Sequence, residues 1–164
     1  ITALSNETCQ LGIQSRNMVL YIAKKDSPQP IRLMSSVGKQ LPLYCTGLGR
    51  ALLAYKSEEE IRNLFPEVLT AYTPHTIATI NDLLKELELT RQRGYAVEHE
   101  ETNLMVNCIA VSLDYNNAPI AALSISIPTF RISESKEKEA VLILLEAKQR
   151  IETHFKMYGV DFGN

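Results

Sequence analysis

The sequence predicts an α/β domain of the α+β kind, with one antiparallel sheet covered by helices, and three observations carry that reading. β-Prone runs fall in two clusters, one near the start and one after Gly94. Segments with a 3.6-residue apolar period lie between and after those clusters. The length, 164 residues, is one domain's worth of chain, since domains commonly hold roughly 100 to 200, so a single domain over 1–164 with a shared core is expected.

The elements follow in order. Thr8 to Gln14 and Met18 to Lys24 are β-prone runs separated by Ser15-Arg16-Asn17, which is hairpin spacing. Asp26-Ser27-Pro28-Gln29-Pro30 is turn chemistry, because each proline fixes φ and removes a ladder donor, and a third strand is expected over Ile31 to Val37. Beyond Pro42 the period changes. Leu48, Ala51, Leu52 and Tyr55 recur at helical spacing with Thr46 placed as the cap, predicting a helix over Gly47 to Tyr55. Ser57-Glu58-Glu59-Glu60 is a capping-box pattern that starts a second helix continued by Ile61 and Leu64. Thr79 caps a third, from Ile80 to Arg93, which Gly94 ends. Strands are predicted at Tyr95 to Glu100, Val106 to Asp114 and Ile120 to Ile127, the last two joined by a turn at Asn116-Asn117. Ser133 caps a final helix whose stripe runs through Val141, Leu144, Leu145, Lys148, Ile151 and Phe155 to Gly159.

Composition excludes several classes. With 45% hydrophobic and 22% charged residues the chain is neither disordered nor collagenous. A net charge of −2 provides no global positive field, so this stretch by itself is a poor nucleic-acid binder. The longest uncharged stretch, Tyr115 to Phe130, is broken by Pro119 and Pro128 and falls short of the roughly 18 to 20 apolar residues that span a membrane. Cys9, Cys45 and Cys108 are odd in number and form no CxxC pair, so neither a disulfide framework nor a metal site is expected, and a cytoplasmic setting fits. Ile1-Thr2-Ala3-Leu4 reads as the last turn of a helix already under way, so a longer parent protein is expected.

Three segments could carry chemistry. In Leu41-Pro42-Leu43-Tyr44-Cys45-Thr46-Gly47-Leu48-Gly49-Arg50 a glycine-bearing helix entry points free N–H groups outward, which suits a carboxylate or phosphate; a plain capped helix packed on a strand explains the same residues. No Walker pattern follows, so a small anion fits better than a nucleotide phosphate. In Ala121 to Ile127, alternation puts Leu123, Ile125 and Ile127 on one face, and Ala122, Ser124 and Ser126 on the other, facing either solvent or a polar cavity. Cys108, on the neighbouring strand, is either a small buried hydrophobe or part of that hollow. No catalytic residue stands out: there is no nucleophile elbow, and His75, His99 and His154 lack metal-ligand spacing.

Taken together, GKQLPLYCTGLGRALLA, TRQRGYAVEHEE and CIAVSLDYNNAPIAALSISIPTFRIS, in this order and over nearly the whole chain, resemble the C-terminal effector-binding domain of the IclR family of bacterial transcription regulators. The resemblance implies a GAF- or profilin-like fold and a pocket for a small organic acid (a keto, hydroxy or sugar acid), with no cofactor and no enzymatic activity. It implies a homodimer or homotetramer that touches DNA only through a winged helix-turn-helix domain outside this chain. Carried over position by position, the ligand-contacting places fall on Leu41, Gly47, Leu48, Glu98, Cys108, Ser124 and Ser126. Glu98 stands where Asp is usual, Arg50 where Lys is common, and Met105 where glycine commonly precedes the cysteine by three. Leu48, Glu98 and Met105 are bulkier than the usual residues, so Met105 is a further candidate for the pocket lining, and the extra volume either shrinks the cavity or makes Met105 its cover. Glu98 is expected to be ionised and to accept hydrogen bonds from the ligand. Two other readings compete: an oligomerisation domain with a vestigial pocket, and a small enzyme using Cys108 with His99 as base, which requires the two within hydrogen-bond reach.

Overall fold

The computed structural model describes residues 1–31 and 36–160. A single helical turn, α1 (Thr2–Ser5), leads into the hairpin of β1 (Thr8–Ser15) and β2 (Met18–Lys25). A short strand, β3 (Gln40–Pro42), precedes three helices, α2 (Gly47–Leu53), α3 (Glu58–Leu64) and α4 (Ile80–Arg93). Strands β4 (Ala96–His99), β5 (Val106–Tyr115) and β6 (Ala118–Pro128) follow, then a 3₁₀ turn at Thr129–Arg131 and the long helix α5 (Glu134–Tyr158).

The two strand clusters form one six-stranded antiparallel sheet in the order β3-β2-β1-β6-β5-β4. The seam is β1 against β6, where Thr8 opposes Ser126 and Gln10 opposes Ser124. Local chemistry accounts for the elements at either side of it. Asn116 and Asn117 take φ of 51° and 62°, the left-handed pair that a two-residue hairpin turn demands. The Thr79 hydroxyl accepts from the Asp82 N–H, and Gly94 at φ 79° closes α4 in the left-handed region. Ser57 and Glu60 complete the capping box of α3.

Two expectations change, and one alternative left open is decided. Of the strand expected over Ile31 to Val37, residues 32–35 lie outside the described residues, and Ile31, Ser36 and Val37 are not in a strand; the strand of this region is β3. Helix α2 ends at Leu53, two residues early, where the Arg91 guanidinium donates to the Ala54 carbonyl (2.6 Å) and the Lys56 carbonyl (2.9 Å) and so satisfies its open end. The face of β6 opposite Leu123, Ile125 and Ile127 does not meet solvent: Ser124 and Ser126 are buried.

Both faces of the sheet therefore carry core. Ile109, Val111, Leu123, Ile125 and Ile127 pack under α5 through Ala140 and Leu144, each buried aliphatic side chain contributing roughly 1.5–3 kcal/mol. On the other face Val19, Tyr21, Ala96, Ala110 and Ala122 meet α2 and α4 through Leu48, Leu52, Leu83 and Leu87. Small residues let α2 lie close to the strands. A Cβ at Gly47 would stand 3.2 Å from the Cys108 Cβ, and one at Gly49 would stand 2.1 Å from the Leu43 carbonyl oxygen, an approach that only glycine allows. Arg50 pins the helix from beneath. Its side chain is 2% exposed and donates to the Tyr44 carbonyl (3.0 Å), the Val97 carbonyl (2.9 Å) and both carboxylate oxygens of Glu101.

Candidate functional site

Where α2 begins above the β4-β5-β6-β1 part of the sheet, a cavity of about 240 Å³ remains. Its floor is set by register. Glu98 opposes Cys108, Cys108 opposes Ser126 and Ser126 opposes Thr8, so one row of polar side chains crosses four strands on the α2 face. The next row is Ala96, Ala110, Ser124 and Gln10, whose small members leave room above them. The Cys108 Sγ lies 2.7 Å from the Ser126 Oγ, and both serine hydroxyls donate to the Gln10 Oε1, from Ser126 at 2.8 Å and from Ser124 at 3.3 Å.

The roof is the start of α2. The Thr46 hydroxyl donates to the Pro42 carbonyl (3.1 Å) and accepts from the Gly49 N–H (3.1 Å), which fixes the cap. The first two N–H groups of the helix, those of Gly47 and Leu48, have no place in its ladder, and both residues line the cavity. They present the positive end of the helix to the polar row.

Glu98 is 1% exposed. Its Oε1 accepts from the Glu101 N–H (2.7 Å) and the Thr102 N–H (3.2 Å). Burial nevertheless pushes the carboxyl up to about 7, outweighing those two donors, which favour the charged form. The expectation of a fully ionised Glu98 is thus corrected: near neutrality the group is divided between carboxylate and acid. Burial, and then the Glu98 charge, push the Cys108 thiol up, and burial pushes Cys45 up to about 12 and Tyr21 further still, so all three are neutral at pH 7. Cys108 is accordingly no thiolate nucleophile. Nor is His99 its base, because His99 opposes Asn107, one residue along and on the other face, with its Nδ1 2.9 Å from the Asn107 Oδ1. Among the described residues no three His, Cys, Asp or Glu side chains gather as a metal site, and no helix is long and apolar enough to cross a membrane.

The structure brings Leu41, Gly47, Leu48, Glu98, Cys108 and Ser126 around this one cavity. Ser124 sits beneath, fully buried, its hydroxyl donating to the Gln10 Oε1. Met105 is elsewhere: 57% exposed and absent from the lining, it takes φ 69°. The glycine usual there is thus explained by a left-handed backbone rather than by space in the pocket. Sequence reasoning missed Gln10, Tyr21, Lys39, Thr102 and Asn103, which also line the cavity. Alternation along β1 already set Gln10 opposite Cys9 and Leu11; what was missing was the strand it faces.

Comparison with known proteins identifies the fold and the family. Residues 1–153 match the family described as bacterial transcriptional regulator IclR, C-terminal. The HTH-type transcriptional regulator KdgR of Dickeya chrysanthemi is 37% identical over 164 residues, 99% of this chain and 54% of that protein. The HTH-type transcriptional repressor AllR of Salmonella typhi is 36% identical over 135 residues, covering 81% of this chain and 50% of the repressor, so the chain spans about half the length of these relatives. The crystal structure of the C-terminal domain of Escherichia coli KdgR superposes with a TM-score of 0.84 at 34% identity, over 97% of this chain and 92% of that one. These relatives are named as regulators and not as enzymes, which removes the Cys108 enzyme reading. By its motifs, its sheet and these matches, the chain belongs to the IclR family of bacterial transcriptional regulators, as the C-terminal domain.

Proposed function

We propose that this domain senses a small organic acid and passes its occupancy, through the arrangement of a homodimer or homotetramer in the cytoplasm, to a DNA-binding domain outside the chain. One observation carries the reading: a cavity of about 240 Å³ in which a row of polar side chains faces the free N–H groups of a helix start. That volume lies below the roughly 300–1,000 Å³ of pockets for drug-sized ligands, which favours acids of a few carbons. In this reading the carboxylate lies against the Gly47 and Leu48 N–H groups, Leu41 and Leu48 pack on the carbon chain, and Ser126, Cys108, Gln10 and Glu98 address its oxygens. Ser124 acts from behind Gln10.

The test is a thermal-shift and calorimetric screen of two- to six-carbon keto, hydroxy and sugar acids beside their neutral amides. At 100 times its dissociation constant a true ligand stabilises the domain by roughly 2.7 kcal/mol. Acids are expected to bind and their amides to bind far more weakly. Equal affinity for acid and amide would remove the helix-start mechanism, and failure of every acid would favour a vestigial pocket.

A further inference from the structure

We infer that Glu98 takes up a proton when an anionic ligand enters and holds it as a donated O–H, so that the cavity selects a monocarboxylate carrying an acceptor oxygen. The inference rests on the ligand-sensing reading above and deepens it. Its basis is how the carboxyl group is held. Oε1 already accepts from two backbone N–H groups, so a proton goes onto Oε2 of this cavity-lining carboxyl, beside the Cys108 thiol, and turns that atom from acceptor to donor.

The groups around Glu98 supply little charge to hold it ionised. Tyr21 from β2, Cys45 from the turn before α2, and Cys108 from β5 are neutral at pH 7. Arg50 from α2 attracts, but it is engaged by both oxygens of Glu101, whose own charge repels Glu98. Lys39, before β3, lines the cavity from an exposed position. His99 faces the other side of the sheet and α5 lies across it. The empty site thus has its carboxyl at about 7. A ligand carboxylate adds a like charge inside the same small cavity and raises that value further.

The sign follows from linkage. Below about pH 6 the acid form prevails with or without ligand, and affinity is flat; above about pH 7 the free site has lost the proton that the occupied site keeps, so each further pH unit weakens binding about tenfold. The expectation from sequence, in which an ionised Glu98 accepts from a ligand donor, is replaced by its converse.

Calorimetry on the 164-residue chain decides it, with pyruvate and 2-oxobutyrate as probes and lactate and gluconate as hydroxy-acid counterparts. At about pH 8, titrations in phosphate and in Tris, whose ionisation heats differ, are expected to report close to one proton taken up per ligand bound. Affinity is expected to fall about tenfold between about pH 7.5 and 8.5 in the parent and to stay level in Glu98→Gln, whose amide donates at every pH. Binding with no buffer dependence overturns the proton uptake and leaves the sensing reading standing. Binding by none of these acids at any pH overturns both. Should Glu98→Gln fail to fold, as circular dichroism would show, the proton count on the parent still decides.

Discussion

Replacing Arg50 by methionine is expected to cost about 3–5 kcal/mol, because it removes one member of a buried ion pair and leaves the other charged. The structure sets that scale. Without the guanidinium, Glu101, itself 5% exposed, keeps among the described residues only the Ile77 N–H (3.2 Å) as donor, beside the second buried carboxyl group of Glu98. The Tyr44 and Val97 carbonyls lose their donor as well, which puts the loss toward the upper end. Removing both charges, in Arg50→Met with Glu101→Met, leaves only those two carbonyls unpaired, for about 1–3 kcal/mol. The double variant should therefore be more stable than Arg50→Met alone. Urea unfolding followed by circular dichroism measures this; in heat the single variant should melt about 6–20 °C lower, at roughly 2–4 °C per kcal/mol for a domain of this size. A single variant within about 1 kcal/mol of the parent, or a double variant as unstable as the two singles added, would refute the reasoning.

Two further predictions concern the site. Ser126→Ala should weaken acid binding by about 1.5–3 kcal/mol with little change in urea midpoint, and Ser124→Ala should weaken it less, since its hydroxyl reaches the cavity through Gln10; calorimetry that ranks them the other way would relocate the ligand. Met105→Gly should leave ligand chain-length preference unchanged, because the side chain is outside the cavity, while relieving a left-handed backbone; stability should stay within about 1 kcal/mol of the parent, and a shift toward longer acids would contradict that placement.

What was legible in the sequence is what local physics fixes. Thr79 and Gly94 bound α4 because a hydroxyl cap and a left-handed terminator act within a few residues, and Asn116-Asn117 sets the β5–β6 turn for the same reason. Even the burial of Ile125 follows from alternation along its own strand. Contacts between distant segments were not legible. Nothing in β1 says that Gln10 faces Ser124, and without that pairing neither Gln10 nor Tyr21 could be assigned to a cavity. Alternation placed Ser124 and Ser126 together, whereas only the packed α2 shows that their side is covered. The resemblance supplied Glu98 as a site residue, but its protonation depends on burial that no motif records.

The pairing of β1 with β6 also sets a clock. Gln10 and Ser124 are 114 positions apart, and a ribosome adding roughly 5–20 residues per second reaches the second about 6–23 seconds after the first. Through that interval the β1–β2 hairpin has one unpaired edge, the condition in which strands recruit the wrong neighbours. Closure of the sheet is a late, long-range event, slow in the way that non-local pairings are. The cavity inherits this timing, since Gln10 and Tyr21 come from the early strands and Cys108 and Ser126 from the late ones. The floor of the cavity is incomplete until the last strand has arrived, so any occupant of it meets only domains whose sheet is already closed.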